Sequence, residues 1–165
     1  QVKERIARPL GMADFRPDYQ WEEIPNRAAG YSRNAGVVRR RPSSEVHDVS
    51  WKLGGGGFTS PALDLARFGV GLLQHQLVTE ETERAMWTVN KPSDPKGAKP
   101  YGFGFFVIDH SDGRKIVGHD GSQEKARTAF MLDPKNQHGV AVMTNSEWCD
   151  AAKLALMLLE KISQP

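Results

Sequence analysis

The amino-acid sequence predicts an α+β fold, an antiparallel sheet with packed helices. Two patterns carry that prediction. Between Tyr101 and Thr144, four aromatic or β-branched runs are separated by turn residues, as in a meander of strands. After them, Ala151, Leu154, Ala155, Leu158, Leu159 and Ile162 recur at helical spacing, so that one helix face can lie on the sheet.

The elements follow in order. Val2–Arg8 is charged and helix-compatible, and Pro9 ends it. Residues 1–50 otherwise read as an irregular connection with four prolines, holding short strands near Gly30–Tyr31 and Val37–Val38. Residues 51–100 form a helical part. Gly54–Gly57 lead into Ser60-Pro61, where Ser60 suits an N-cap and Pro61 the first helical position. The helix that follows, to about Leu73, is apolar nearly all round, which implies deep burial. Thr79 caps a second helix, Glu80 to about Thr88, and residues 92–100 are a loop. Residues 101–165 hold strands at Tyr101–Ile108, Lys115–His119, Thr128–Leu132 and Val140–Thr144. Tyr101 and Phe103 there read as core or cleft wall, and Ser146 is placed to cap the final helix.

Composition excludes several classes. The chain has 165 residues, 39% apolar and 25% charged, enough for one domain with a core and unlike a disordered or fibrous chain. A net charge of +2 gives no electrostatic case for nucleic acid or an anionic membrane. No apolar run is long enough for a membrane span. The single Cys149 excludes an intrachain disulfide and reads as a buried or half-buried small residue. The five histidines show no metal-ligand spacing, and no nucleotide loop or Gly-x-Ser-x-Gly elbow is present. No metal and no cofactor are expected. The basic run Arg39-Arg40-Arg41 reads as a solvated loop face, with a phosphate or acidic-partner site as the alternative.

One segment stands out: Gly118-His119-Asp120-Gly121-Ser122, at the end of a strand and before a hairpin. Gly121 leaves room for a ligand to approach the backbone, and His119, two residues earlier, shares its face. Taken alone, the same residues also describe a surface hairpin. Their order along the chain adds to the signal. Pro9-Leu10-Gly11-Met12 is followed by Gly55-Gly56-Gly57-Phe58-Thr59-Ser60 with Asp64-Leu65-Ala66-Arg67-Phe68. Then come Tyr101-Gly102-Phe103-Gly104, Gly118-His119-Asp120-Gly121 and Val140-Ala141-Val142-Met143-Thr144-Asn145.

This series resembles the second half of the serine β-lactamase-like family, which holds class C β-lactamases, DD-peptidases, esterases and D-amino-acid peptidases. The resemblance implies that residues 1–165 are the C-terminal half of one such domain, with an N-terminal half as its partner. It implies cleavage of an amide or ester through an acyl-enzyme, on a small-molecule or peptide substrate. Family members are commonly exported to the cell envelope or secreted.

Three motifs build the family's site. The His-x-Gly strand maps onto His119, Asp120 and Gly121. By resemblance the Ser122 N–H forms half of an oxyanion hole, and His119 donates to the substrate or helps move a proton. The Ser-x-x-Lys helix and the Tyr-x-Asn loop have no counterpart in the family's order. Ser122-Gln123-Glu124-Lys125 has the first spacing, but it follows the His-x-Gly strand and is treated as accidental. Tyr31-Ser32-Arg33-Asn34 places asparagine one residue too far and follows the Pro-Leu-Gly-Met segment. The chain alone is therefore expected to be inactive, with its nucleophile upstream. Where the family often has glycines, the polar turn 122–128 offers Lys125 and Arg127, with Asp120, as substrate-binding candidates. The same turn also reads as a solvated hairpin tip. Two other readings stand beside the enzyme: a non-catalytic binding or interaction domain on the same scaffold, and an esterase built on Ser122.

Overall fold

A computed structural model describes residues 1–40, 48–90 and 99–163. Arg41 of the basic run and most of the loop expected at 92–100 lie outside the described residues.

The chain starts with a wide helical turn at Lys3–Ala7, closed by the Arg8 N–H donating to the Lys3 carbonyl at 2.9 Å. Next come β1 (Arg16–Pro17), a hairpin of β2 (Tyr31–Asn34) and β3 (Val37–Arg40), and β4 (Phe58–Thr59), which pairs with β1. Helices α1 (Ala62–Leu73) and α2 (Glu80–Met86) precede the main sheet. That sheet holds β5 (Phe106–Asp109), β6 (Lys115–Gln123), β7 (Ala126–Asp133) and β8 (His138–Thr144), antiparallel and in chain order, and α3 (Ala151–Ile162) closes the fold.

Strand alternation divides the apolar side chains between two cores. On one face Val117, Phe130 and Leu132 pack with Val107, Leu72, Leu73, Trp87 and Phe105. On the other, Ile116, Ala129 and Met131 meet Ala151, Ala155 and Leu159 of α3. Leu159 is 1% exposed, and burial of such a side chain contributes about 1.5–3 kcal/mol.

The α+β class and the four-strand meander match the sequence reading, and the details differ where local and tertiary signals compete. Pro61 itself holds the N-cap position of α1 in extended conformation, while the Ser60 hydroxyl donates to the Pro61 carbonyl rather than capping the helix. Helix α1 is buried on one face only, with Leu63 and Val70 exposed. Thr79 caps α2 as expected, accepting from the Thr82 N–H. The first sheet strand begins at Phe106, because residues 101–105 fold into a tight loop in which the Gly102 N–H donates to the Phe105 carbonyl. Phe103 is consequently exposed instead of lining a core. Strand β6 runs on to Gln123, so the His-x-Gly segment sits inside a strand and not at its end.

Asp150, not Ser146, caps α3 by accepting from the Lys153 N–H at 2.9 Å. Ser146 instead forms a parallel bridge with Tyr31. The sheet covers only Ala151, Ala155 and Leu159 of the expected helix stripe. Leu154, Leu158 and Ile162 are exposed, with Met157 beside them. Strand β8 has no strand on its outer side among the described residues.

Candidate active site

The candidate site is built on the second half of β6. β5 pairs with β6 only as far as Phe106↔Gly118, whereas β7 follows it to Gln123. Among the described residues no strand therefore pairs with one edge of β6 at 119–123, and an extended ligand can add to such an edge through main-chain hydrogen bonds. Gly121 lies opposite Thr128 on β7, and a Cβ built there would stand 2.6 Å from the Thr128 hydroxyl oxygen. Close packing against β7, rather than approach of a ligand alone, thus demands glycine at 121.

His119 is held on three sides. Its Nδ1 lies 2.6 Å from the Asp120 carbonyl and its Nε2 2.9 Å from the Tyr101 hydroxyl. The Phe106 ring stacks on the imidazole at 4.6 Å between centroids, and the Tyr101 ring meets it edge-on. A carbonyl only accepts, so Nδ1 carries the proton. In the neutral ring Nε2 then accepts from the Tyr101 O–H. Lys99 closes the group, with its ammonium 2.9 Å from Asp120 Oδ2 and 4.4 Å from the centre of the Phe106 ring. This exposed ion pair is worth at most about 1 kcal/mol, but it fixes the charge beside the open edge.

Asp120, Gly121, Ser122 and Arg127 line one cavity of about 390 Å³ with Thr128 and residues 147–152. His119 and Lys125 do not line it. At the β6–β7 hairpin tip Ser122 and Glu124 are exposed, but Lys125 is turned inward. Lys125 is 4% exposed and adopts a left-handed conformation (φ 62°). Its N–H donates to Glu147 Oε1 at 2.9 Å, and its stem packs so tightly on Gly30 that a Cβ there would collide with it. Arg127 folds back, and its Nη1 donates to the carbonyls of Gln123 and Ala126. Lys52 reaches the same tip, donating to Gln123 Oε1 at 3.3 Å, so the glycine-run loop flanks the far end of β6.

The Ser122-to-Lys125 spacing spans a strand end and a turn. It does not form the single helical turn that would set the amine beside the hydroxyl. A second such spacing, Ser93 to Lys96, contains Pro95 and lies outside the described residues.

Other features hold the site from behind. Asp64 is 1% exposed. It accepts from the Asp14 N–H at 2.8 Å and from Arg67 at 2.6 Å, tying the segment after Pro-Leu-Gly-Met to α1. Asn145, at the end of the last motif, donates through Nδ2 to the Ala29 carbonyl, and its own carbonyl accepts from the Tyr31 N–H. Trp51 is 77% exposed, with the Lys52 ammonium 5.0 Å from the centre of its ring. Sequence reasoning offered Tyr101 only as core or cleft wall, without its contact to His119, and missed Lys99. The tight turn that carries Tyr101 back to His119 is signalled only by Gly102 and Gly104.

The beta-lactamase family model matches residues 1–155, and the chain belongs to that family. A putative penicillin-binding protein of Bacillus subtilis is 28% identical over 112 residues, which are 67% of this chain and 26% of that protein. A penicillin-binding protein homologue from Pyrococcus abyssi, an octamer, is 25% identical with a TM-score of 0.78, over 98% of this chain and 36% of that one. A D-stereospecific amidohydrolase from Streptomyces, at 21% identity and a TM-score of 0.78, shares the fold over 99% of this chain and 48% of its own. The chain spans about a quarter to a half of the length of these relatives. No helix among the described residues is long and apolar enough to cross a membrane.

Proposed function

We propose that the chain is the strand-bearing, C-terminal half of a serine hydrolase domain that cleaves an amide or ester through an acyl-enzyme, with the nucleophile outside these residues. The observation that carries this reading is the open edge of β6 at 119–123, beside a cavity lined by Asp120 and Ser122. A substrate laid along that edge would place its carbonyl against the Ser122 N–H, one of two donors to the developing oxyanion. Gly121 would keep the strand flat against β7, and His119 would border the leaving side. Asp120 and Arg127 would line the substrate's flank through the cavity. Lys125, turned inward, would act by holding the hairpin in shape. The names of the relatives, an amidohydrolase and penicillin-binding proteins, favour a small amide or a peptide as substrate.

The same reading gives the exposed stripe of α3 and the outer edge of β8 to the N-terminal half of the domain. The support is the twofold or greater length of the relatives, the exposure of that apolar stripe, and the unpaired outer edge of β8 among the described residues.

The test uses the full-length protein with D-amino acid amides, their esters and a chromogenic β-lactam. Turnover with an initial burst is expected. Ser122→Ala keeps the backbone donor and should retain activity, while Ser122→Pro removes it and should lower kcat by ~10²–10³. Circular dichroism checks that the proline variant folds. A full-length protein that binds these ligands without turnover would favour a non-catalytic binding domain.

A further inference from the structure

We propose that Trp148 determines specificity at this site, as one wall of a slot that takes an aromatic side group of the substrate. The inference rests on the hydrolase reading above and names the substrate class for it. Strand pairing shows on which face of the sheet the slot lies. Asp120 pairs with Ala129, which packs under α3, whereas His119 pairs with Phe130 of the core on the α1 side. Residues two apart on a strand share a face, so Asp120 and Ser122 face α3 and His119 faces the other way. The cavity of about 390 Å³ joins this part of β6 to residues 147–152, on the α3 side. An extended substrate on the β6 edge alternates its side groups in the same way. One of them therefore enters the cavity when the reacting carbonyl lies at the Ser122 N–H.

The polar groups around the cavity are committed within the chain. Asp120 pairs with Lys99, Glu147 accepts from the Lys125 N–H, Asp150 caps α3, and Arg127 Nη1 donates to two carbonyls. The Trp148 indole, by contrast, stays 41% exposed while lining the same cavity. It is held in place. The Arg33 guanidinium, on the β2–β3 hairpin, stands over the ring at 5.5 Å from its centroid, and the Glu147 and Asp150 contacts tie the loop on either side of it. Gly121, Ala151 and Ala152 add little bulk to the lining, which leaves room for a flat ring beside the indole. Two aromatic rings in offset or edge contact gain more than the area they bury. Three carboxylates against one arginine disfavour an anionic group in the same place. Arg33 is then a positioning residue that acts through the indole.

The experiment uses the full-length protein with the amides of D-alanine, D-leucine and D-phenylalanine and the α-amide of D-aspartate. The natural protein should prefer the phenylalanine amide and use the aspartate amide least. Trp148→Ala should lower kcat/KM for the phenylalanine amide by ~10-fold or more, mostly through KM, and for the alanine amide by no more than ~2-fold. Trp148→Leu, which keeps apolar bulk without a ring, should lose the aromatic preference as well. Arg33→Leu should lower the phenylalanine-to-alanine ratio by ~2–5-fold, and Arg33→Lys, which keeps a cation over the ring, should restore it. An unchanged ratio in both Trp148 variants, or an equal loss on both amides, would overturn the proposal. Failure of the hydrolase reading has its own readout. Cys149 lines the same cavity and is the one cysteine of this chain. D-Phenylalaninol, which has no bond to cleave, should protect Cys149 from iodoacetamide in the natural protein and not in Trp148→Ala, as read by peptide mass mapping. Protection in a protein that turns over no amide, ester or lactam sinks the hydrolase reading and supports the slot. Turnover without protection overturns the slot and leaves the hydrolase reading intact.

Discussion

Arg114 and Asp133 join the two long strands of the sheet at the end away from the site. Arg114 Nη1 lies 3.0 Å from Asp133 Oδ2, and the Asp133 side chain is fully buried. Burial by itself would raise the Asp133 carboxyl. Hydrogen bonds from Asn136 and the Arg114 guanidinium outweigh it and hold the group below its usual range. Asp112, on the same arginine, is held down to about 2, chiefly by the Arg114 backbone N–H against a smaller opposing effect of desolvation. Carboxyls depressed in the folded state stabilise above their unfolded range, near 3.8, and lose that contribution as pH falls through the folded values. Arg114→Met should therefore cost about 2–3 kcal/mol at pH 7, since it strips a charged partner from a buried carboxylate. Denaturant melts at pH 7 and pH 2.5 check it: the gap between variant and natural protein should narrow in acid.

Glu83 has the opposite sign. Burial raises its carboxyl, and the nearby His75, with Nδ1 3.3 Å from Oε2, only partly offsets that. A carboxyl raised in the folded state is best tolerated protonated, so its contribution is fully present below the unfolded value, near 4.5, and is lost as pH climbs through the folded value. Glu83→Gln, which copies the protonated acid, should match the natural protein near pH 4 and show a higher Tm at pH 8. Equal Tm differences at the two pH values would contradict this.

The Asp150 cap predicts a simpler effect. It satisfies one of the free N–H groups at the start of α3. Asp150→Ala should cost about 1 kcal/mol, while Asp150→Ser should recover most of it. Thermal melts of the three proteins decide.

The α3 stripe predicts a mismatch between exposure and cost. Leu158 is half exposed in this chain. If the N-terminal half covers it, Leu158→Asp in the full-length protein should destabilise by about 2–3 kcal/mol, the cost of a charge in an apolar contact. If the surface is free, the change stays within about 0.5 kcal/mol. Urea melts of the full-length variant separate the two.

Much of the fold was legible because its signals are local. The α3 spacing, the Thr79 cap and the turn residues of the meander each act over a few residues, and the order of short motifs pointed to the family the chain belongs to. What escaped was decided at long range. Residues 101–105 have strand composition, yet the chain folds back there to set Tyr101 against His119, 18 residues on. Lys125 looks like a solvated tip residue, and its burial depends on Gly30, far upstream. Asp64 fits a helix start, and nothing local reveals that it clamps the Asp14 backbone. The His-x-Gly segment was found, but its open edge follows from β5 stopping at Gly118, a matter of pairing and not of composition.

The central claim is that these residues form the wall of a hydrolase site whose nucleophile lies elsewhere in the protein. The most direct measurement is covalent labelling of the full-length protein with a serine-reactive β-lactam or phosphonate, followed by peptide mass mapping. The account predicts a single adduct on a serine outside residues 1–165. An adduct on Ser122, or on any other serine of this chain, would contradict it.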